Sequence, residues 1–273
     1  MFQADLHTHT NCSHAADSVE EMAAAARSVP LKVFGFSEHS PRPQGYVYPC
    51  DYQEKLLAAY PGYIREAHRL RCASTPDFTV LLGLEIDFIT AEQDFARKYT
   101  QDYAFDYIIG GLHFQDTWGF DHPEGWNQLG LEERFKIYTR YYEDLSCLAD
   151  SGMADIIAHP DLIKLFSRDS FEEWLKTPAA EKIITHALTL VKKRGQLLEL
   201  SSAGLRKPCR QIYPGPFIMQ KAAELGLKIC LASDAHSTAQ IAYAFAELEV
   251  YARKFGYTES WIVQKKEPRP LAF

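Results

Sequence analysis

The sequence predicts an α/β chain folded as a distorted (β/α)7 barrel, similar to a TIM barrel, and three observations carry that prediction. Apolar strand-like runs alternate with helix-like segments along the chain, the pattern of a parallel sheet. The length of 273 residues suits one barrel domain spanning 1–273. Six of the seven runs end in a histidine, glutamate or aspartate, as expected where the carboxyl ends of barrel strands converge on a site. An open doubly wound sheet is the alternative that the alternation alone leaves standing.

The first strand is an apolar run over 2–6, which leads into Asp5-Leu6-His7-Thr8-His9. Two histidines separated by one residue share a side of an extended backbone, so they can hold one ion between them. His14 follows in the loop, and Ser18-x-x-Glu21 is a capping box that starts a helix through 22–26. Residues 33–36 form a second strand that ends at Glu38-His39. The proline-rich stretch 41–49 is a loop, and a helix over 51–71 is expected to break near Pro61-Gly62. The third strand, 78–86, delivers Glu85.

The alternation continues with a helical segment at 92–101 and a strand at 106–112 that ends at His113. Gly110-Gly111 within that strand permits close backbone approach. An aromatic loop, 114–126, precedes a helix over 131–148; a strand at 154–158 then ends at His159-Pro160. Residues 171–194 are helical apart from Pro178, and the sixth strand, 196–200, runs into Ser201 and on to Arg206. After a helix at 216–225, the seventh strand, 228–232, ends at Ser233-Asp234-Ala235-His236. A last helix is expected over 238–255, and the tail from Lys265 reads as loosely structured.

Composition narrows the function classes. A hydrophobic fraction of 47% supplies a large core, while a net charge of −7 argues against a general nucleic-acid or membrane surface. An anionic ligand must therefore be drawn in locally. The six cysteines show no C-x-x-C spacing, and no apolar run has the length of a signal or a membrane span. The expectation is a reduced, cytoplasmic protein with no nucleic-acid or membrane partner.

A lone histidine is more often a core or surface residue than a ligand, by roughly four to one. Among the ten histidines, His68 and His186 in helical segments and His122 in a loop fit that bland reading. The other seven, His7, His9, His14, His39, His113, His159 and His236, all lie at or just after a strand end. With Glu85 and Asp234 they exceed the roughly four ligands of one zinc ion, so more than one ion follows. Glu85 can bridge two ions; Asp5 and Glu38 read as groups that orient ligand histidines. Cys12 reads as loop filler. Arg206 offers a guanidinium fork for phosphate, with Lys164 a weaker candidate for the same role. Phe114, Trp118 and Phe120 are expected to line a pocket, with Asp121 available to an ammonium group.

These residues carry a resemblance. Asp-x-His-x-His at 5–9, His14, Glu-His at 38–39, Glu85 within Gly-Leu-Glu-Ile-Asp, His113, His159-Pro160 and Ser-Asp-Ala-His at 233–236 resemble the successive motifs of the PHP (polymerase and histidinol phosphatase) family, over almost the whole chain. Gly-Gly-Leu-His-Phe followed by Trp118 to Asp121, and Ser-Ala-Gly-Leu-Arg-Lys at 202–207, resemble its histidinol-phosphate phosphatase branch. The resemblance implies a seven-stranded barrel with three divalent metal ions. His7, His9, Glu85 and Asp234 would hold one, His14, His39 and His236 a second, and Glu85, His113 and His159 a third. Zinc leads, with iron or manganese as alternatives. The implied reaction is hydrolysis of a small phosphate monoester, L-histidinol phosphate, to L-histidinol and phosphate in histidine synthesis, with a metal-bound hydroxide as nucleophile. Two other readings stay open: a PHP phosphoesterase acting on nucleotides or another small ester, and a non-catalytic PHP module, which the complete ligand set argues against.

Overall fold

The computed structural model describes residues 4–48, 52–101 and 103–273. The expected strand start at Phe2, the helix start at Asp51, and Pro49 and Cys50 lie outside them. Seven strands, Ala4–Asp5, Val33–Phe36, Thr79–Asp87, Tyr107–Gly111, Ile156–Ile157, Leu197–Ser201 and Ile229–Ala232, pair in chain order and all in parallel. Just beyond the first and seventh strands, His9 N donates to Ala235 O (2.8 Å) and Ala235 N to His7 O (3.2 Å). That bridge draws the sheet into a nearly closed barrel and removes the open-sheet alternative.

Side-chain alternation along the strands separates two cores. Leu82, Leu84 and Ile86 of the third strand join the large apolar layer under the helices, whereas Leu81 joins Leu6, Tyr107, Ile109, Ile156, Ala158 and Leu197 inside the barrel. Glu85 shares the parity of Leu81, and Glu199 that of Leu197. Both carboxylates therefore point inward by strand geometry.

The capping box forms as expected: Glu21 N donates to Ser18 Oγ and Ser18 N to Glu21 Oε2, opening the helix Val19–Ser28. The helix Pro216–Leu225 also matches, and residues 168–194 split into Arg168–Leu175 and Pro178–Arg194, with Thr177 capping the second.

Three expectations need correction. The helix Gln53–Cys72 runs straight through Pro61; the proline removes one amide donor to Leu57, on a face where Leu57 is 50% exposed and water can replace it. The last helix covers only Phe245–Lys254, because Ala242 and Ala244 take positive φ (52° and 54°) and break the run. The tail is not loose. Glu259–Gln264 and Glu267–Ala272 form an antiparallel hairpin around Lys265-Lys266, and Ile262 and Val263 join the interior core at the amino ends of the strands. Among the described residues no helix is long and apolar enough to cross a membrane.

Candidate metal centre

The strand ends bring the expected ligands to one place, and Glu85 stands at its middle. Its Oε2 faces His39 Nδ1 (3.0 Å), His7 Nε2 (3.2 Å) and His9 Nε2 (3.4 Å), while Oε1 faces His159 Nε2 (3.2 Å) and His113 Nε2 (3.6 Å). The two oxygens of one carboxylate thus serve two sets of imidazoles. Gly111 leaves the room for this: a Cβ there would lie 2.8 Å from Glu85 Oε1 and 2.7 Å from His113 Cε1. Asp234 approaches from the seventh strand, with Oδ1 3.4 Å from His9 Nε2 and 3.8 Å from His7 Nε2. His159 and Asp234 both take positive φ (23° and 51°), a conformation that non-glycine residues adopt at some cost and that recurs at functional sites.

Three groups have ligand atoms within 4.8 Å of one another: His7, His9 and Glu85; Glu85, His113 and His159; and His9, His39 and His236. The second has the same members as one expected set, and the first has three of the four expected residues, with Asp234 outside the group. In the third, His9 stands where His14 was expected. His14 sits at the mouth, its ring stacked on Tyr52 (4.7 Å) and His39 (5.2 Å) and 4.5 Å from His236.

The residues fit a metal by a direct criterion. His7 Nε2, His9 Nε2, His39 Nδ1 and Glu85 Oε2 are buried and make no hydrogen bond. Buried polar atoms are rarely left so, because the desolvation cost is of order 1–3 kcal/mol each. Three imidazoles are held through the opposite ring nitrogen. His7 Nδ1 donates to Glu199 Oε2 (2.7 Å), His9 Nδ1 to Glu38 Oε1 (3.3 Å) and His113 Nδ1 to Asp87 Oδ1. A carboxylate behind each imidazole fixes its tautomer and aims the bare nitrogen at the centre.

Glu38 is anchored in turn by Thr10 N, Thr10 Oγ1 and Ser13 Oγ. Asp5 accepts from Ser233 N, Ser233 Oγ and Ala242 N and so braces the turn that carries Asp234. Both therefore support ligands, as their positions implied. Glu199 and Asp87 were not anticipated. The inward parity of Glu199 beside Leu197, and Asp87 two residues past Glu85, were the signals available.

Charge is concentrated here. Burial disfavours a charged His9, yet the carboxylates of Asp234, Glu38 and Glu85 around it lift the imidazole to about 9. Asp87 and then Glu85 lift His113 to about 9 against the same penalty. Burial and the neighbouring imidazoles push His14 down to about 3 and His236 well below the usual range. Against burial, His7 and His39 hold Glu85 well below the carboxylate range; Lys207 and His236 do the same for Asp234. Burial, aided by Glu38, pushes the Cys12 thiol up to about 12, which suits filler and not a thiolate ligand.

Above the ligands opens a cavity of about 310 Å³. Beyond the metal-type residues its wall holds Tyr48, Tyr52, Asp121, His122, Leu162 and Lys207. Four expectations change. Arg206 does not line the cavity; its Nη2 donates to the carbonyls of Ser233 (2.8 Å) and Asp234 (3.0 Å), tying down the turn from behind. The neighbouring Lys207 reaches in instead, its Nζ 3.1 Å from Asp234 Oδ2. Lys164 is buried elsewhere, against Asp161 Oδ2 (2.7 Å) and Ile212 O (3.0 Å). Phe114 and Phe120 are core, and Trp118 packs on Trp126, because the short ribbon Phe114–Gln115 with Trp118–Gly119 turns those rings inward. His122, which read as an ordinary loop residue, stands on the wall beside Asp121, whose Oδ1 accepts from Tyr48 OH (2.8 Å). His68 stays exposed and away from the site.

Comparison with known proteins agrees with this architecture. The model of the PHP domain matches residues 5–203. A Deinococcus radiodurans protein named "Probable histidinol-phosphatase" is 33% identical over 253 residues, covering 92% of this chain and 93% of its own. The Bacillus subtilis protein named "Histidinol-phosphatase" is 22% identical over 263 residues, covering 90% of this chain and 97% of its own. Among solved structures, histidinol phosphate phosphatase from Lactococcus lactis, complexed with zinc, L-histidinol and phosphate, matches with a TM-score of 0.78 at 17% identity, over 97% of this chain and 98% of that one. At that identity the likeness speaks for the fold.

Proposed function

The chain belongs to the PHP domain family, and from that premise we propose that it is a metal-dependent phosphomonoesterase that hydrolyses L-histidinol phosphate to L-histidinol and phosphate. The observation that carries the proposal is the convergence of imidazoles on Glu85 at the strand ends, with His7 Nε2, His9 Nε2, His39 Nδ1 and Glu85 Oε2 buried and unpartnered. The named relatives point to the substrate, and a neighbouring fold binds zinc, L-histidinol and phosphate. We assign three divalent ions. His7, His9, Glu85 and Asp234 would hold the first, His39 and His236 near His14 the second, and Glu85, His113 and His159 the third. Zinc, iron and manganese all suit this donor set, zinc foremost.

Divalent ions held there supply Lewis acidity and activate water near neutral pH. The chain's own residues do the rest. Glu199, Glu38 and Asp87 hold the Nδ1 protons of His7, His9 and His113 and so keep their Nε2 atoms bare and aimed. Lys207, whose ammonium the Asp234 charge keeps protonated against burial, extends a positive group into the cavity and meets the phosphate. Asp121 takes the substrate ammonium, with Tyr48, Tyr52 and His122 around the imidazole. Leu162 and the tyrosine rings narrow the space left for bulk water. Because Asp234 and His236 lie beyond residue 203, the working unit is one PHP domain over 1–273. We assign it to the cytoplasm, where biosynthetic esters are made and where cysteines 12, 72, 147, 209 and 230 stay free as they are here.

Phosphate release by the metal-loaded protein tests the proposal on L-histidinol phosphate, glycerol phosphate and a nucleoside monophosphate. The expected kcat/KM for L-histidinol phosphate exceeds the others by at least ~10²-fold, since a site built on buried polar partners rejects analogues that lack them. A nucleotide as the best ester overturns the substrate and leaves the metal site standing. No turnover of any monoester by protein with bound metal overturns the enzyme.

A further inference from the structure

Arg42 packs against the two tyrosines, Tyr48 and Tyr52, that stand on the cavity wall. Arg42 is 3% exposed, and its guanidinium carbon lies 4.8 Å from the centre of the Tyr52 ring, 4.9 Å from Tyr48 and 5.5 Å from Phe114. Its Nη1 donates to Tyr52 OH (2.8 Å) and its Nε to Tyr46 O (3.0 Å). The same Nη1 stands 3.4 Å from Asp87 Oδ2. The other oxygen of Asp87 takes the Nδ1 proton of His113, whose Nε2 faces Glu85. A single side chain therefore reaches two parts of the cavity wall: it touches Tyr48 and Tyr52 directly, and it touches Asp87, the carboxylate behind His113.

We propose that Arg42 is a positioning residue that sets the tyrosine wall and the His113 ligand together. The proposal rests on the metal-phosphatase reading and deepens it. Two physical tasks are combined. A guanidinium is planar and forked, so it can lie among aromatic rings while its N–H groups hold Tyr52 and the Tyr46 carbonyl. Its charge also pairs with that of Asp87, which holds in place the carboxylate that accepts from His113 Nδ1 and so aims the opposite ring nitrogen. Lysine can do the second task and not the first. A neutral chain of similar length can do neither.

That difference defines the experiment. Arg42→Lys and Arg42→Met are purified, and three quantities are read: bound metal, kcat and KM on the ester the wild type turns over best, and competitive inhibition by inorganic phosphate. Arg42→Lys should keep metal content, kcat and the phosphate inhibition constant within about threefold and raise KM about tenfold, part of the ~10²-fold that a misplaced contact can cost. Arg42→Met should show that KM rise and in addition lose ~10–100-fold in metal affinity or kcat, the usual effect of removing a ligand's outer partner. If both variants change KM, kcat and metal content by the same factors, or if Arg42→Lys has the wild-type KM, the proposal is overturned. Should Arg42→Met fail to fold, Arg42→Lys decides: a KM rise with unchanged phosphate inhibition supports it, and a parallel rise in both overturns it. Metal content and phosphate inhibition do not depend on the ester. A wrong substrate therefore shows in the wild type, separately from these outcomes.

Discussion

At the amino end of the barrel Asp106 is as buried as Glu85 is at the carboxyl end, but the two are treated differently. Asp106 Oδ2 accepts from Leu82 N (3.0 Å) and pairs with Arg71 Nε (3.0 Å), and its Oδ1 accepts from Lys265 N (3.1 Å). Nearby, Asp155 Oδ2 accepts from Ile108 N and Lys266 Nζ (2.7 Å each). These carboxylates stitch strand starts to the C-terminal hairpin, and their charge is answered by amides and cations. Glu85 meets only imidazole nitrogens at angles that leave its Oε2 without a hydrogen bond. Burial of charge alone does not mark a site. What separates these carboxylates is whether their oxygens are satisfied, and that difference matches the division in barrel enzymes between a stabilising face and a catalytic one.

The sharpest way to break the comparison is to neutralise one carboxylate at each end. Glu85→Gln weakens two ligand sets at once, and kcat/KM should fall by more than the ~10²–10³-fold typical of one lost charge contact, with metal lost in parallel. Next in size, Lys207→Ala should keep its metal and lose ~10²-fold in kcat/KM, as expected for a cation that meets phosphate. Arg206→Ala should cost less, since it acts only through the turn at Ser233 and Asp234. If the order of those two is reversed, the phosphate contact belongs to Arg206 after all.

Glu199→Gln probes the layer behind the ligands. It weakens the hold on the His7 Nδ1 proton and should cost ~10–100-fold in metal affinity or activity; wild-type metal binding in that variant would make Glu199 a packing residue. Asp106→Asn is the control from the opposite end. Denaturant unfolding should register a loss of about 1–3 kcal/mol, with the activity per folded molecule unchanged. A drop in kcat there would erase the distinction between the two ends.

The smallest effect is a proton count. In the metal-free protein His9 and His113 are lifted from 6.5 to about 9, so their protonation stabilises the fold. That contribution is complete below about 6.5 and is lost as the pH rises through 9. Metal needs those nitrogens bare. Zinc uptake at about pH 7.5, measured calorimetrically in buffers of different ionisation enthalpy, should therefore release protons, and the release should fade above about 9. Uptake without proton release would place the ions elsewhere.

The ligands were legible because a strand end is a local event. His7, His9, His39, His113 and His159 each follow an apolar run, and each lands at the centre. The groups that steer them were less so. Glu199 sits within Leu-Leu-Glu-Leu, and only the inward parity of its strand gives it away. Tyr48 and Tyr52 reach the cavity because Arg42 gathers their rings, a contact that a proline-rich loop does not announce. Arg206 ends the four-residue helical turn Ala203–Arg206 and Lys207 caps it, and which of the two faces the cavity depends on that turn's rotation. The C-terminal hairpin escaped notice because its turn is Lys265-Lys266, both at positive φ (53° and 64°), where glycine or asparagine is the usual signal.

The direct test of the claim that clustered, unpartnered ligand atoms mark the site is a metal count on the wild-type protein. Purified protein is stripped, reloaded with zinc or manganese, desalted and analysed by mass spectrometry, with L-histidinol phosphate turnover followed at each loading. Three divalent ions per chain, with activity rising as they enter, is the predicted result. A protein that turns over the ester fully while holding no divalent ion, or that takes up none at all, would contradict it.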